Sequence, residues 1–157
     1  MKKNGLTVCL WFDDQAEEAA KFYTSVFKNS RIGSISRYGK EGFEIHGKKE
    51  GTVMVANFSI DGQEFIALNG GGQFRFNESV SFQVFCDTQE EIDHLWAKLT
   101  EGGSEGQCGW LKDRFGVSWQ VIPSVLSQLM SDPKQSERVT KAFLRMKKFN
   151  IAELTGN

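Results

Sequence analysis

The side chains able to do chemistry in this 157-residue chain are few and scattered. Cys9, Cys86 and Cys108 are the three thiols, and His46 and His94 are the two imidazoles. A thiol at a cavity becomes a nucleophile when its surroundings depress its pKa. Cys9 and Cys108 are the pair to consider for that, although a small cysteine more often fills apolar space. His46 falls in a charged loop and His94 in a helix beside Asp93, with no acid or serine partner visible, so both read as surface imidazoles. Glu64 and Asp113 complete the acid–base candidates, and no catalytic residue is assigned. Asn69-Gly70-Gly71-Gly72 lacks the Lys-Ser/Thr that follows a phosphate cradle and reads as a flexible junction. The stretch from Gly109 to Pro123 carries Trp110 and Trp119, a turn at Arg114-Phe115-Gly116, and a neutral glutamine at Gln120.

These residues need a scaffold. Length and a 39% hydrophobic content fit a single domain with a sizeable core. A net charge of −1 leaves no basic footprint for nucleic acid or an anionic membrane. The odd cysteine count, without a C-x-x-C pair, implies free thiols in a reducing compartment, the cytoplasm. The apolar run after the N-terminal lysines breaks at Asp13-Asp14, too short for an export signal or a membrane span.

Periodicity gives the elements. Thr7 to Phe12 reads as a strand, and Asp14 with Glu17 as a capping box. The next helix carries Ala16, Ala19, Ala20, Phe22, Tyr23, Val26 and Phe27 at i, i+3, i+4 spacing on one face. Strands follow over 32–38, 52–60 and 63–68, the last two joined by Asp61-Gly62. The pattern then restarts: a strand over 80–86, a cap at Asp87-Thr88, a helix over 90–99, and strands near Glu105, over 108–112 and over 117–122. Strand, helix and three strands thus occur twice, about 6–69 and 79–123, before helices in 124–155. The expected fold is α+β, two βαβββ repeats forming a curved, mostly antiparallel, barrel-like sheet.

This plan, with Leu10-Trp11-Phe12-Asp13, Phe22-Tyr23, Leu68-Asn69-Gly70-Gly71, Ser81-Phe82-Gln83-Val84, Cys108-Gly109-Trp110, Asp113, Ser118-Trp119-Gln120 and Pro123, resembles the vicinal oxygen chelate superfamily. That superfamily includes glyoxalases, ring-cleaving dioxygenases and bleomycin-resistance proteins. The closer likeness is to its PhnB-like branch, whose members often carry the name 3-demethylubiquinone-9 3-methyltransferase. The resemblance implies a pocket enclosed by the curved sheet, a homodimer and, in metal-dependent members, four His, Gln or Glu ligands from the first and last strands of each repeat.

The resemblance places those ligand positions at Thr7, Ala67, Ser79 or Ser81, and Gln120. A divalent transition metal needs imidazole, thiolate or carboxylate donors to replace its hydration, which Thr, Ala, Ser and one Gln do not supply. The expectation is therefore no metal and no cofactor. Strand alternation adds Cys9, Trp11, Asn69, Gln83 and Ser118 as pocket-lining candidates. Trp110 stays open between pocket wall and core, and Trp119, opposite in parity to Gln120, reads as core. The leading functional expectation is a metal-free protein that binds a small, partly aromatic molecule. The alternatives are an enzyme of the same superfamily, a lyase or the methyltransferase of the family name, and a structural platform.

Overall fold

The computed structural model describes residues 5–157, and the chain divides into two compact units, Met1–Arg75 and Phe76–Asn157. In the first, β1 (Val8–Phe12) leads to α1 (Ala16–Val26) and β2 (Ser30–Arg37). A short helix α2 (Phe43–His46), β3 (Val53–Ile60) and β4 (Gln63–Asn69) complete it. The second unit runs β5 (Phe82–Cys86), α3 (Gln89–Thr100), β6 (Ser104–Glu105), β7 (Trp110–Lys112) and β8 (Ser118–Pro123). Three helices follow: α4 (Leu126–Ser131), α5 (Ser136–Phe143) and α6 (Ile151–Thr155).

The two sheets have the same topology, β1-β4-β3-β2 and β5-β8-β7-β6, each with its first and last strands parallel and the other pairs antiparallel. The duplicated α+β plan is therefore present. It differs from the sequence reading mainly in a loop, where α2 interrupts the segment between β2 and β3, and the helices expected in 124–155 are α4, α5 and α6.

Each helix lies on one face of its own sheet. In the first unit Ala16, Ala19, Ala20, Tyr23 and Val26 are buried, and Phe58 stacks on Tyr23 at 5.6 Å and on Phe65 at 4.9 Å. In the second, Ile92, Leu95, Trp96 and Leu99 are buried over a sheet face bearing Leu111, Trp119 and Val121. Burial of each large side chain contributes about 1.5–3 kcal/mol, so these faces carry most of the packing energy.

The helix starts are built differently. Thr88 and Glu91 form the capping box of α3, which satisfies two backbone N–H groups locally. The Asp14–Glu17 box expected for α1 is absent: Gln15 is the N-cap and makes no side-chain cap. Asn69 Oδ1 instead accepts the Ala16 N–H at 2.8 Å, from 53 residues away. The end of β4 thereby replaces a local cap.

Candidate functional site

With one face of each sheet under a helix, the opposite faces are where side chains can meet a ligand. Register defines their membership. In the first unit Cys9 pairs with Ile66 and Trp11 with Leu68, while Val55 and Asn57 pair with Leu68 and Ile66. The middle of this open face is aliphatic, while Asn57 at its side is engaged in donating its amide to Ser34 O at 3.2 Å and Ser34 Oγ at 3.0 Å. Ala67 pairs with Leu10 and is fully buried with it on the helix side, and Asn69, paired with Phe12, is occupied in holding α1 and in donating to Val53 O at 3.1 Å. Ala67 and Asn69 thus lie on the opposite face from Cys9 and Trp11, which corrects the expectation that all four line one pocket. The β4 residues that share the open face are Glu64, Ile66 and Leu68, of which only Glu64, at the exposed start of the strand beside Arg31, carries a metal-donor group.

Trp11 is half-buried on that face, with its indole already engaged. The Nε1–H donates to Gly71 O at 2.8 Å, and Phe74 meets the ring edge-on at 5.1 Å. Gly70 lies against the same indole so closely that a Cβ there would come within 2.1 Å of Cζ2. The Asn69–Gly72 stretch, expected as a flexible junction, is here a strap fastened over Trp11. Thr7 precedes β1 and is exposed. Cys9 is exposed as a residue, yet partial burial raises its thiol pKa, which disfavours the thiolate.

The second unit's open face is different in kind. Gln83 pairs with Gln120 across the parallel strands, and Trp110 pairs with Gln120 across the antiparallel ones. Gln120 Nε2 donates to Ser81 Oγ at 2.8 Å, and Gln83 Nε2 donates to Gln120 Oε1 at 3.3 Å. Three neutral polar side chains are thereby linked across β5 and β8 and held in one orientation. Register settles Trp110 onto this face, half-buried, and puts Trp119 beneath the sheet against Phe82, 5.3 Å between centroids. Ser79 is drawn away: its backbone N–H donates to Asn77 Oδ1 at 3.0 Å and its hydroxyl bonds the same oxygen, so Ser81 is the serine at Gln120. Phe85 and Ile122 pair on this open face, Phe85 61% exposed.

Ser118 pairs with Lys112 and lines an open depression of about 190 Å3, also lined by Glu78, Ser104, Glu105, Gly106, Trp110 and Leu111. Lys112, Glu78 and Glu105 were not among the residues singled out from sequence. Lys112 was within reach of the alternation rule, being two residues from Trp110, whereas Glu78 lies in a connection without periodicity.

The remaining acid–base candidates have other work. Asp113 is buried and accepts from Phe115 N at 2.9 Å, Val117 N at 3.0 Å and Trp119 Nε1 at 2.8 Å, pinning the β7–β8 turn to the core. His46 packs on Tyr38 at 4.6 Å, and its Nδ1 accepts the Lys48 N–H. Glu64 is exposed beside Arg31. Cys86 is buried, and desolvation with nearby Glu91 and Asp87 raises its pKa to about 11. Among the described residues no group of three His, Cys, Asp or Glu side chains could hold a metal ion, and no helix is long and apolar enough to cross a membrane.

A duplicated βαβββ unit, each sheet presenting one helix-covered and one open face, defines the vicinal oxygen chelate superfamily. Within it the chain belongs to the family described as 3-demethylubiquinone-9 3-methyltransferase, which it matches over residues 4–122. A PhnB protein from Bacillus cereus is 40% identical, with 77% of this chain and 100% of that one covered and a TM-score of 0.69. Protein PA1353 from Pseudomonas aeruginosa is 19% identical over 77% of this chain and 98% of its own, TM-score 0.60. The fosfomycin resistance protein FosX from Mesorhizobium loti is 12% identical over 84% of this chain and 100% of its own, TM-score 0.57. The last two likenesses concern the fold alone. No curated protein matches the sequence.

The superfamily's metal-dependent members provide a chemical test of the site. The positions facing the open sides here hold Cys9, Ile66 or Leu68, Ser81 and Gln120, with Thr7 ahead of β1. One amide oxygen and two hydroxyls do not offset the hydration of a divalent metal, and the Cys9 thiol is shifted away from the anion that would bind one. The donor set does not fit a resident metal, so no chemistry is routed through one.

Proposed function

We propose that this protein binds a small, neutral or weakly polar, partly aromatic molecule on the open face of its second sheet, without a metal. The observation that carries this reading is the Ser81–Gln120–Gln83 chain, whose Gln120 stands at a position that the resemblance assigns to a metal ligand. Fixed amide dipoles beside the aromatic surfaces of Trp110 and Phe85 suit recognition by hydrogen bonding and ring contact. Catalysis is the weaker reading, because Asp113 serves the fold, Cys9 is shifted away from its thiolate, and Glu64 is exposed. Methyl transfer from a nucleotide-type donor lacks its usual cradle: the strand-to-helix turns are Asp13-Asp14-Gln15 and Asp87-Thr88, without glycine.

The same reading includes a homodimer, favoured by the exposure of Val80 (67%) and Phe85 (61%), and a reducing, cytoplasmic setting, favoured by three free cysteines. Light scattering on purified protein tests the first.

A thermal-shift screen of single-ring metabolites tests the binding role. A ligand at about a hundred times its Kd stabilises the native state by roughly 2.7 kcal/mol, a readily measured midpoint shift. The expected result is a hit that stabilises the wild type and fails with Gln120→Leu. A screen without hits, or hits indifferent to Gln120, contradicts the proposal. Elemental analysis of protein purified without chelator supplies the other arm, since a stoichiometric transition metal would contradict the metal-free reading.

A further inference from the structure

The lining of the depression beside β7 includes a residue whose polar atom has no partner among the described residues. Ser118, one of the residues that line it, is 1% exposed, and its buried hydroxyl has no hydrogen-bond partner among the described residues. A buried hydroxyl without a partner is costly, and such groups are normally satisfied by the protein, by water or by a ligand. On the same face, paired in register with Ser118, stands Lys112, and its ammonium forms an ion pair with Glu78. Glu78 is at the rim and its side chain is 60% exposed. Trp110 is one wall of the depression.

We propose that this depression binds the carboxylate of a one-ring acid, the ligand carboxylate replacing that of Glu78 on Lys112, accepting the Ser118 hydroxyl and laying its ring on Trp110. Glu78 is then a tethered stand-in for the ligand. The exchange leaves Lys112 with a carboxylate partner throughout, so its charge is never exposed unpaired. The gain is the hydrogen bond to Ser118 and the ring contact, neither of which Glu78 supplies. The sign of the ligand charge follows from the other acid in the lining. Glu105 Oε1 already accepts from Trp96 Nε1 at 2.9 Å and Oε2 lies 3.4 Å from Lys147 Nζ, so it does not call for a cation. Size follows from volume: about 190 Å3 is well under the roughly 300 Å3 at which sites for drug-sized ligands begin.

This inference rests on the reading that the second sheet's open face binds small molecules, and it names a ligand class for one end of that face. The probe is benzoate, with benzamide as the uncharged control, titrated while the Trp110 indole N–H resonance is followed. Benzoate should shift that signal saturably and bind about tenfold more tightly than benzamide, since a charge-assisted contact is lost in the control. Glu78→Gln should tighten benzoate about threefold, because a half-exposed ion pair is a weak competitor. Lys112→Met should weaken it at least about tenfold. Ser118→Ala should weaken it about threefold while leaving the melting midpoint unchanged or higher, because it deletes a hydroxyl that lacks a partner.

Equal binding of benzoate and benzamide, no saturable shift at Trp110, or a Glu78→Gln variant that does not bind benzoate more tightly would each overturn the proposal. A metabolite that stabilises the wild type and is lost in Gln120→Leu, together with a silent Trp110, contradicts only this inference. Loss of both contradicts the wider reading as well.

Discussion

The two halves share one topology and use their open faces in opposite ways. In the first, Val55, Ile66 and Leu68 make the middle of that face aliphatic, the Asn57 amide is bonded to Ser34, and Trp11 is fastened under Gly70, Gly71 and Phe74. In the second, Ser81, Gln83 and Gln120 form a linked polar row, and Lys112 and Ser118 stand at the edge of a depression. The first half's polar residues stabilise it, as Asn69 does for α1, while the second half keeps oriented polar groups where a ligand can reach them.

The sharpest way to break this comparison is to remove what holds the second half's site in shape. Asp113→Ala leaves two backbone N–H groups and the Trp119 indole N–H without that acceptor, so it should lower unfolding free energy by about 3–5 kcal/mol in urea melts. A loss below about 1 kcal/mol would show that the turn does not depend on it. The corresponding change in the first half is milder. Asn69→Ala should cost about 1–2 kcal/mol, the range of lost helix caps, and leave ligand binding intact.

The contrast in what could be read beforehand follows the same division. Alternation gave the correct faces for β1, β5 and β8 because one side of each is apolar against a helix, as Leu10 and Phe12 are, while the other carries Cys9, Gln83 or Gln120. It failed on β4. Phe65-Ile66-Ala67-Leu68 lies between β1 and β3 with apolar residues on both faces, so no alternation marks which side Ala67 takes. Asn69 looked like a ligand contact because a polar residue at a strand end has no local sign of a partner 53 residues away. The Lys112–Glu78 pair was invisible for a similar reason: Glu78 comes from an irregular connection, and only the folded chain places it beside β7.

The tail offers another comparison. The family match ends at residue 122, and the segment after it packs onto the second half. Cys108 N donates to Met146 O at 2.8 Å and Gly109 N to Lys147 O at 2.7 Å, where Cys108 and Gly109 both have positive φ. Phe149 lies so close that a Cβ at Gly109 would come within 2.5 Å of its ring. Gly109→Ala should therefore cost about 1–3 kcal/mol through strain and overpacking and should disturb the neighbouring Trp110 indole signal. An unperturbed Trp110 would mean that the tail does not support the site.

Thiol labelling distinguishes the halves with a smaller effect. At about pH 8, Cys9 should react with a maleimide much faster than Cys86, which is buried and whose pKa is raised to about 11. Equal rates would mean that Cys86 is far more open than its packing allows.

Acid should produce the weakest contrast. Glu78, Asp93, Glu105 and Asp132, all in the second half, have pKa values lowered chiefly by side-chain hydrogen bonds from Lys112, Lys148, Trp96 and Gln135 respectively. Their folded pKa values lie below their unfolded ones, so their stabilisation is present above about pH 5 and is lost as pH falls below about 4. In the first half Glu17 shifts in the same direction through Lys21. Amide exchange on mild acidification should therefore rise slightly more in the second half, by little, because these groups are exposed.

The central claim is that recognition resides on the second half's open face. Its most direct test is chemical-shift mapping with a metabolite taken from the stabilisation screen. The side-chain amides of Gln83 and Gln120 and the Trp110 indole should move together while Cys9, Ile66 and Leu68 stay fixed. Shifts centred on Cys9, Ile66 and Leu68 with the glutamines unmoved would contradict it.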